Sequence, residues 1–460
     1  MSEWKTYKLG ELCSKIGSGS TPKGGSNVYL ESGEISLIRS QNIYNEGFNP
    51  NGIVYITQES ADKLKNVIVN ENDVLINITG DSVARACIVD KKYLPARVNQ
   101  HTAILRAIPN ILDYRYLKNY LINKPIQDYL LSISSSGATR NALTKSMLEN
   151  LEIQLPDIET QQKIGEFLET FNKKIQLNTQ ANQTLEAIAQ AIFKSWFVDF
   201  DPVRAKAQAI LDGKTRDEAN LSAMSVISGK AIEELSQTEY QELWEIADAF
   251  PSELVENSEF GEVPKGWEIV PLSTFGEIIC GKTPTKSKAE YYGNDIPFIK
   301  IPDMHGKVFI TQTIDNLSLI GADSQTKKYI PKGSICVSCI ATVGLVSLAS
   351  RKSQTNQQIN SIIPNDLNFS EYLYLYLSQL EMNKYMKNLA SGGSATLNMN
   401  TGTFSSIEIL KPNENIICFF NEKIASLFEK ILNNDMENLK LTQTRDLLLP
   451  KLLSGELLNE

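Results

Sequence analysis

The sequence predicts an α+β protein: two pseudo-symmetric mixed α/β domains separated by two long antiparallel coiled-coil helices. Three observations carry that prediction. The chain aligns on itself, the front of each copy alternates apolar and polar residues at strand spacing, and each copy closes with an apolar heptad run. The self-alignment opens at Trp4 and Leu9, which match Trp267 and Leu272 at an offset of 263. Gly19-Ser20-Thr21-Pro22 then matches Gly281-Lys282-Thr283-Pro284 at 262, Val74 and Ile76 match Ile335 and Val337 at 261, and Asn99-Gln100 matches Asn356-Gln357 at 257. Chance matches would scatter, whereas a slow drift is what small loop deletions leave after a duplication.

After each front part the spacing changes from strand-like to helical. In the first copy the run is Ile164, Leu168, Phe171, Ile175, Asn178, Asn182, Leu185, Ala189, Ile192 and Trp196. In the second it is Phe420, Ile424, Leu427, Ile431, Asn434, Asn438, Leu441, Arg445, Leu448 and Leu452, at a constant offset of 256. Such a seam makes helices pair. Pro156-Asp157 and Pro412-Asn413 supply entry signals and N-cap candidates. Each seam carries two asparagines at its middle, so antiparallel pairing sets Asn178 against Asn438 and Asn182 against Asn434. A buried Asn needs a partner and can fix register; the plainer alternative is a seam that tolerates polar residues near solvent. The predicted layout is a first domain over 1–155, a long helix over 156–198, an acidic helical connector over 199–263, a second domain over 264–411, and a second long helix with its tail over 412–460. Within the connector, Ala205 to Leu211 and Lys230 to Phe250 read as helical.

Composition limits the function. At 460 residues with 42% apolar and 22% charged, the chain is ordinary globular protein of two to three domains, not a disordered or collagenous one. No apolar run reaches bilayer-spanning length and Met1-Ser2-Glu3-Trp4-Lys5 lacks a signal peptide's apolar core, so the expected location is cytoplasmic. Six cysteines are too sparse for a disulfide framework. The net charge of −9 hides an alternation: +2 over 1–155, −11 over 156–263, +3 over 264–411 and −3 over 412–460. The two domains are mildly basic, and DNA binding by the chain alone is expected to be modest.

No catalytic or metal constellation stands out. Gly276 to Thr283 matches a phosphate-binding loop pattern literally, but Glu277-Ile278-Ile279-Cys280 prefers an extended conformation and Pro284 argues against a helix start. Cys336 and Cys339 have metal-pair spacing, yet their counterparts are Leu75 and Ile78, and the chain's only histidines are His101 and His305. They read as core residues. Methyltransferase and dinucleotide signatures are missing, so neither a catalytic residue nor a metal ligand nor a bound cofactor is expected. What remains are polar, glycine-rich, cation-bearing segments: Ser18, Ser20, Thr21 and Lys23; Arg39, Gln41 and Asn42; Arg85; Arg140 and Asn141; Lys282, Thr283 and Lys286; Lys300; Gln357 and Gln358; and Ser394. Arg, Gln and Asn read base edges and Lys, Ser and Thr suit phosphates, so these are the candidate DNA contacts. Each also has the plain reading of a solvated turn.

In this order the segments resemble the specificity subunit of type I restriction-modification systems, over nearly the whole chain. The carriers are Trp4 to Glu11, Ser136 to Leu143, Pro156 to Ile164, Lys194 to Pro202, Phe250-Pro251, Gly261 to Trp267, Asn356-Gln357-Gln358 and Leu447 to Leu457. Ser391-Gly392-Gly393-Ser394 departs from its counterpart Ser135-Ser136-Gly137. The resemblance implies two target-recognition domains, each reading one half of a split asymmetric DNA site. The two helices are about 50 Å of ruler for the 33 residues from 164 to 196, on the order of a dozen base pairs. Because residues 41–70 and 302–329 differ, the half-sites should differ. It also implies two methylation subunits that carry S-adenosylmethionine and flip out the target adenine, and restriction subunits that use ATP and Mg for translocation and cleavage. The chain itself would be non-catalytic. A fused enzyme and a scaffold that never touches DNA are the competing readings.

Overall fold

The computed structural model describes residues 4–135, 141–390 and 397–458. It divides into two compact units, one made of Met1–Leu177 with Asn438–Glu460 and the other of Asn178–Glu437. In each unit a mixed α/β domain packs on part of a pair of 40-residue helices, Ile158–Phe197 and Glu414–Leu453.

In the first unit, an antiparallel sheet runs in the order Cys13–Ser18, Thr102–Ala107, Val74–Asn77, Ala86–Ile88. A second sheet runs Val54–Ile56, Ile35–Ile38, Ala96–Val98, Ile68–Val69, with one parallel pair between Ile35–Ile38 and Ala96–Val98. Both faces of Val74–Asn77 and Ile35–Ile38 are buried, with Ser36 and Asn77 the polar residues within these otherwise apolar strands. Asp113 starts the helix Tyr114–Ile122 by accepting from the N–H groups of Arg115 and Tyr116. That helix presents Tyr116, Leu117, Tyr120 and Leu121 to a core that also holds Ile164, Leu168, Leu449, Leu452 and Leu453. Burying each such side chain is worth about 1.5–3 kcal/mol.

The second unit repeats the strand order of both sheets. Its main sheet is Gly276–Cys280, Ile359–Pro364, Ile335–Ser338, Val346–Ala349, and its companion is Asp315–Leu317, Tyr292–Ile299, Ser353–Thr355, Tyr329–Ile330. Register is kept as well: Ala103 opposes Ile76 and Leu105 opposes Val74 in one copy, Asn360 opposes Val337 and Ile362 opposes Ile335 in the other. One strand is new, because Phe309–Ile310 joins the main sheet parallel to Val346–Ala349. It comes from residues 302–329, which differ in sequence from residues 41–70 of the first copy.

Gly276–Cys280 is therefore a paired strand and not a phosphate loop. Cys336 and Cys339 are buried, and burial pushes their thiols up to about 12 and about 11, so they stay protonated as core residues.

The connector needs correction. It holds three helices, Asp201–Leu211, Arg216–Ser228 and Gln237–Ala249, followed by a hairpin of Leu254–Asn257 with Gly261–Pro264. It is not wholly helical, and the helix expected from Lys230 begins only at Gln237. The missed middle helix carries a legible start, since Thr215 and Glu218 form a reciprocal capping box. The hairpin turns on Asn257, whose Oδ1 accepts from the N–H groups of Glu259 and Phe260. Nor is this segment a bare tether, because Val203, Met224, Ile227, Leu243 and Phe250 share one core with Trp196, Trp267 and Phe420.

The helix pair was anticipated in detail at its ends. Asp157 caps the first helix, with Oδ1 accepting from Thr160 N–H at 3.0 Å, and Asn413 accepts from Asn415 N–H at 3.0 Å ahead of the second. Of the seam residues, Ile164, Leu168, Asn178, Phe420, Ile424, Ile431 and Asn434 are buried, while Phe171, Ile175, Asn182, Leu185, Leu427, Asn438 and Leu441 are half-buried. In the second unit Asn434 Nδ2 donates to Asn182 Oδ1 at 2.8 Å, and Asn182 Nδ2 donates to Asp435 Oδ1 at 2.9 Å. Asn178 donates to Glu437 at 2.8 Å. As one helix ascends the other descends, so the segments run antiparallel. In the first unit a buried Arg445 donates to Asn172 Oδ1 at 3.0 Å, a polar pair that the apolar heptad count did not anticipate.

Candidate nucleic-acid interface

The candidate contacts of each domain gather at one end of its sheets, tied by main-chain hydrogen bonds that recur in both copies. In the first, Gly19 N–H donates to Thr102 O at 2.8 Å and Ser20 N–H to Val98 O at 3.0 Å; in the second, Gly281 donates to Ile359 O at 3.0 Å and Lys282 to Thr355 O at 2.9 Å. The next loop binds to its neighbour as Asn99 N–H to Ile38 O, and again as Asn356 N–H to Ile299 O, both at 3.1 Å. Ile78 N–H meets His101 O at 2.9 Å, and Cys339 N–H meets Gln358 O at 2.8 Å. The last link is Leu143 N–H to Ile78 O, or Met399 N–H to Cys339 O, at 2.8 Å each. Five loops are thus locked side by side in each domain.

Glycine explains the tight approach of the first loop. A Cβ at Gly19 would lie 2.2 Å from the carbonyl oxygens of Val98 and Asn99, and one at Gly281 would lie 2.1 Å from Asn356 O. Only a residue without a side chain lets the strand end press onto the neighbouring loop.

Beneath the loops of the first domain sits Asn77, fully buried. Its Nδ2 donates to Ser40 O at 2.9 Å and Ser82 Oγ at 3.0 Å, and its Oδ1 accepts from Thr102 Oγ1 at 3.2 Å. Among the described residues, the equivalent Ser338 side chain is engaged by Leu345 N–H alone, at 2.9 Å.

The proposed contacts divide into groups on this frame. Ser18, Gln41, Lys23, Asn141, Lys282, Lys286 and Gln357 are exposed, and Ser20, Thr21, Arg39, Arg85, Thr283, Lys300 and Gln358 are half-buried. Arg39 lies 5.5 Å from the Tyr29 ring centroid and donates to Gly52 O, while Arg85 lies 4.9 Å from that of Tyr44. Both guanidiniums are held on aromatic faces. Lys300, the counterpart of Arg39, is half-buried and paired with Asp315, so its charge is partly neutralised by a neighbour.

Asn42 departs from its assignment. It is fully buried, its Oδ1 accepts from Arg39 N–H at 3.0 Å, and its Nδ2 donates to Asn49 O and Asn51 O. Its amide oxygen and nitrogen both bond within the loop that carries Arg39 and Gln41, so Asn42 braces that loop and presents no free amide group to a ligand. Arg140 and Ser394 lie outside the described residues.

Two residues beyond the candidate contacts stand on the same loop frame: Gln100 and His101. Both are exposed on the loop that corresponds to Gln357 and Gln358. His101 Nδ1 is 2.6 Å from Thr79 Oγ1 and its Nε2 is 3.0 Å from Gln100 Nε2. The self-alignment at offset 257 pairs Gln100 with the candidate Gln357, and the next position along the same offset sets His101 against Gln358. No group of three or more His, Cys, Asp or Glu side chains among the described residues is placed to hold a metal ion, and no helix among them is long and apolar enough to cross a membrane.

Comparison with known proteins gives the following. The model of the type I restriction modification DNA specificity domain matches residues 1–187 and 264–444. The chain is 48% identical, over 99% of its length and 100% of the relative's, to the type I restriction enzyme HindI specificity subunit of Haemophilus influenzae. It is 25% identical, over 99% of its length and 94% of the relative's, to the MjaIX specificity subunit of Methanocaldococcus jannaschii. The crystal structure of a type I restriction-modification system S subunit from M. genitalium shares its fold with a TM-score of 0.54 at 13% identity, over 98% of this chain and 96% of that one.

Proposed function

This chain belongs to the family of type I restriction-modification DNA specificity proteins, and on that premise we propose how it reads DNA. Each domain presents its five-loop end to one half of a split site, and the two halves differ in sequence. The observation that carries this is a shared loop frame with unlike tips: Arg39 against Lys300, Ser20 against Lys282, His101 against Gln358. A common backbone offers the same approach to each half-site, and different donors and acceptors at its tips select different bases. The exposed cations Lys23, Lys282 and Lys286 suit phosphates, and the glutamines suit base edges.

Its partners would be duplex DNA, two methylation subunits and restriction subunits. The chain would supply the address and no chemistry; S-adenosylmethionine, ATP and Mg would sit on those partners, in the cytoplasm. The small net charge of each domain supports a reader that binds firmly only within such an assembly.

Co-expression with its methylation subunit, followed by single-molecule sequencing of methylated adenines, tests the reading. A bipartite motif is expected only when this chain is present. Exchange of residues 1–155 for those of another family member should change one half of the motif and leave the other intact; a change in both halves, or no motif at all, refutes it.

A further inference from the structure

Gln100 and Gln357 occupy the same position in the two domains, both exposed, yet different neighbours engage opposite ends of their amides. Gln100 Nε2 faces the ring nitrogen Nε2 of His101 at 3.0 Å, and His101 Nδ1 faces the Thr79 hydroxyl at 2.6 Å. With the ring proton on Nδ1, donated to Thr79, Nε2 accepts from the Gln100 amide, whose nitrogen is engaged while Oε1 has no partner among the described residues. At Gln357 the order is reversed: the Thr283 hydroxyl donates to Oε1 at 2.5 Å, and it is the amide nitrogen that has no partner among the described residues. Thr283 stands where the first domain has Thr21. The first domain's anchor comes instead from His101, which the second replaces with Gln358, a side chain turned toward Asn356 Nδ2 at 2.9 Å.

We propose that this reversal makes one residue type read opposite base functions: Gln100 offers an acceptor to an exocyclic amino group, of adenine or cytosine, and Gln357 offers a donor to a keto oxygen or purine N7. The inference rests on the DNA-reading role given above and adds the base class at one position of each half-site. In the major groove those two classes are told apart by the hydrogen-bond sense of the reader, and a mismatched sense leaves two acceptors or two donors face to face.

The test uses the full chain in complex with its methylation subunits and reads the methylated motif. Gln→Glu is isosteric and turns the amide into an acceptor on both oxygens, and the added charge is the same in both domains, so the difference between them is the signal. Gln100→Glu should keep its half-site, because His101 can move its proton to Nε2 and donate to the carboxylate while Thr79 donates to Nδ1. Gln357→Glu should lose the base at one position of the other half-site, with methylation of the wild-type motif falling about tenfold or more. Thr283→Val and His101→Phe free each amide to turn and should broaden that same single position in their own half-sites. The unaltered half-site in each variant reports correct folding. Equal losses from both Glu variants, a loss from Gln100→Glu only, or no change from either overturns the assignment. A wild-type complex that yields no split motif instead refutes the recognition role itself.

Discussion

The two domains share a frame and differ at its surface and beneath it. Hydrogen bonds at Gly19 and Gly281, at Asn99 and Asn356, and at Ile78 and Cys339 recur in kind, although partners such as Thr102 and Ile359, Ile78 and Cys339, and His101 and Gln358 are unlike. Main-chain groups donate and accept whatever the side chain is, so a duplicated backbone survives divergence wherever the sterics of one glycine are kept. Side-chain hubs did not survive. Asn77 joins Ser40, Ser82 and Thr102, while among the described residues the Ser338 side chain holds a single N–H. The first domain fixes its loops through a buried amide. The second gains its Phe309–Ile310 strand and a cover of connector helices.

The sharpest challenge to a common frame is at its glycines. Gly19→Ala and Gly281→Ala should each destabilise the chain by about 3 kcal/mol or more, because the new Cβ meets backbone oxygens that cannot swing away, whereas Gly17→Ala, with open space around it, should be near neutral. Thermal unfolding of the three variants decides it; a tolerant Gly281 would show that the second frame is looser.

The hubs should separate the domains next. Asn77→Ala strands a main-chain carbonyl and two hydroxyls under the loops and should cost about 2–3 kcal/mol, against about 1 kcal/mol for Ser338→Ala. Chemical denaturation measures both, and equal costs would remove the distinction drawn here.

The smallest contrast concerns two buried lysines, one in each unit. Burial lowers both Lys118 and Lys206 to about 8. Lys206 donates to Ala247 O at 2.8 Å and Phe250 O at 2.6 Å, whereas Lys118 has no hydrogen-bond acceptor among the described residues. For a lysine so lowered, the unfolded chain binds the proton more tightly between about 8 and the ordinary 10.5, so stability rises with pH across that window and the full penalty is present at neutral pH. Lys118→Met should remove the penalty, stabilise the fold at pH 7 by about 1–2 kcal/mol and flatten its share of the rise. Lys206→Met should destabilise by a similar amount, since two carbonyls lose their donor. Denaturation curves at pH 7 and above 8 would show whether the signs differ.

Periodicity and repetition made the scaffold legible. The offset of 256 located both long helices, the 261 match located the central strands, and Pro-Asp and Pro-Asn marked the helix starts, because these signals depend only on neighbours a few residues apart or on the chain compared with itself. The connector was less legible, since the helix Arg216–Ser228 has a clear cap but no strong apolar stripe, and the hairpin after it depends on one asparagine turn. At the candidate interface, the sequence named the segments but could not sort their side chains: Asn42 reads as a contact and is a buried brace, and Gln100 is not distinguished from its neighbours although it is the counterpart of Gln357.

The sequence by itself thus determined the duplication, the strand and helix periods, the antiparallel helix pair and the family. Only the tertiary structure decided which polar side chains are consumed inside and which end of each amide faces out. Hydrogen-bond sense is a property of neighbours brought together from Thr79, His101, Thr283 and Gln357, many residues apart in the chain, and no local spacing records it.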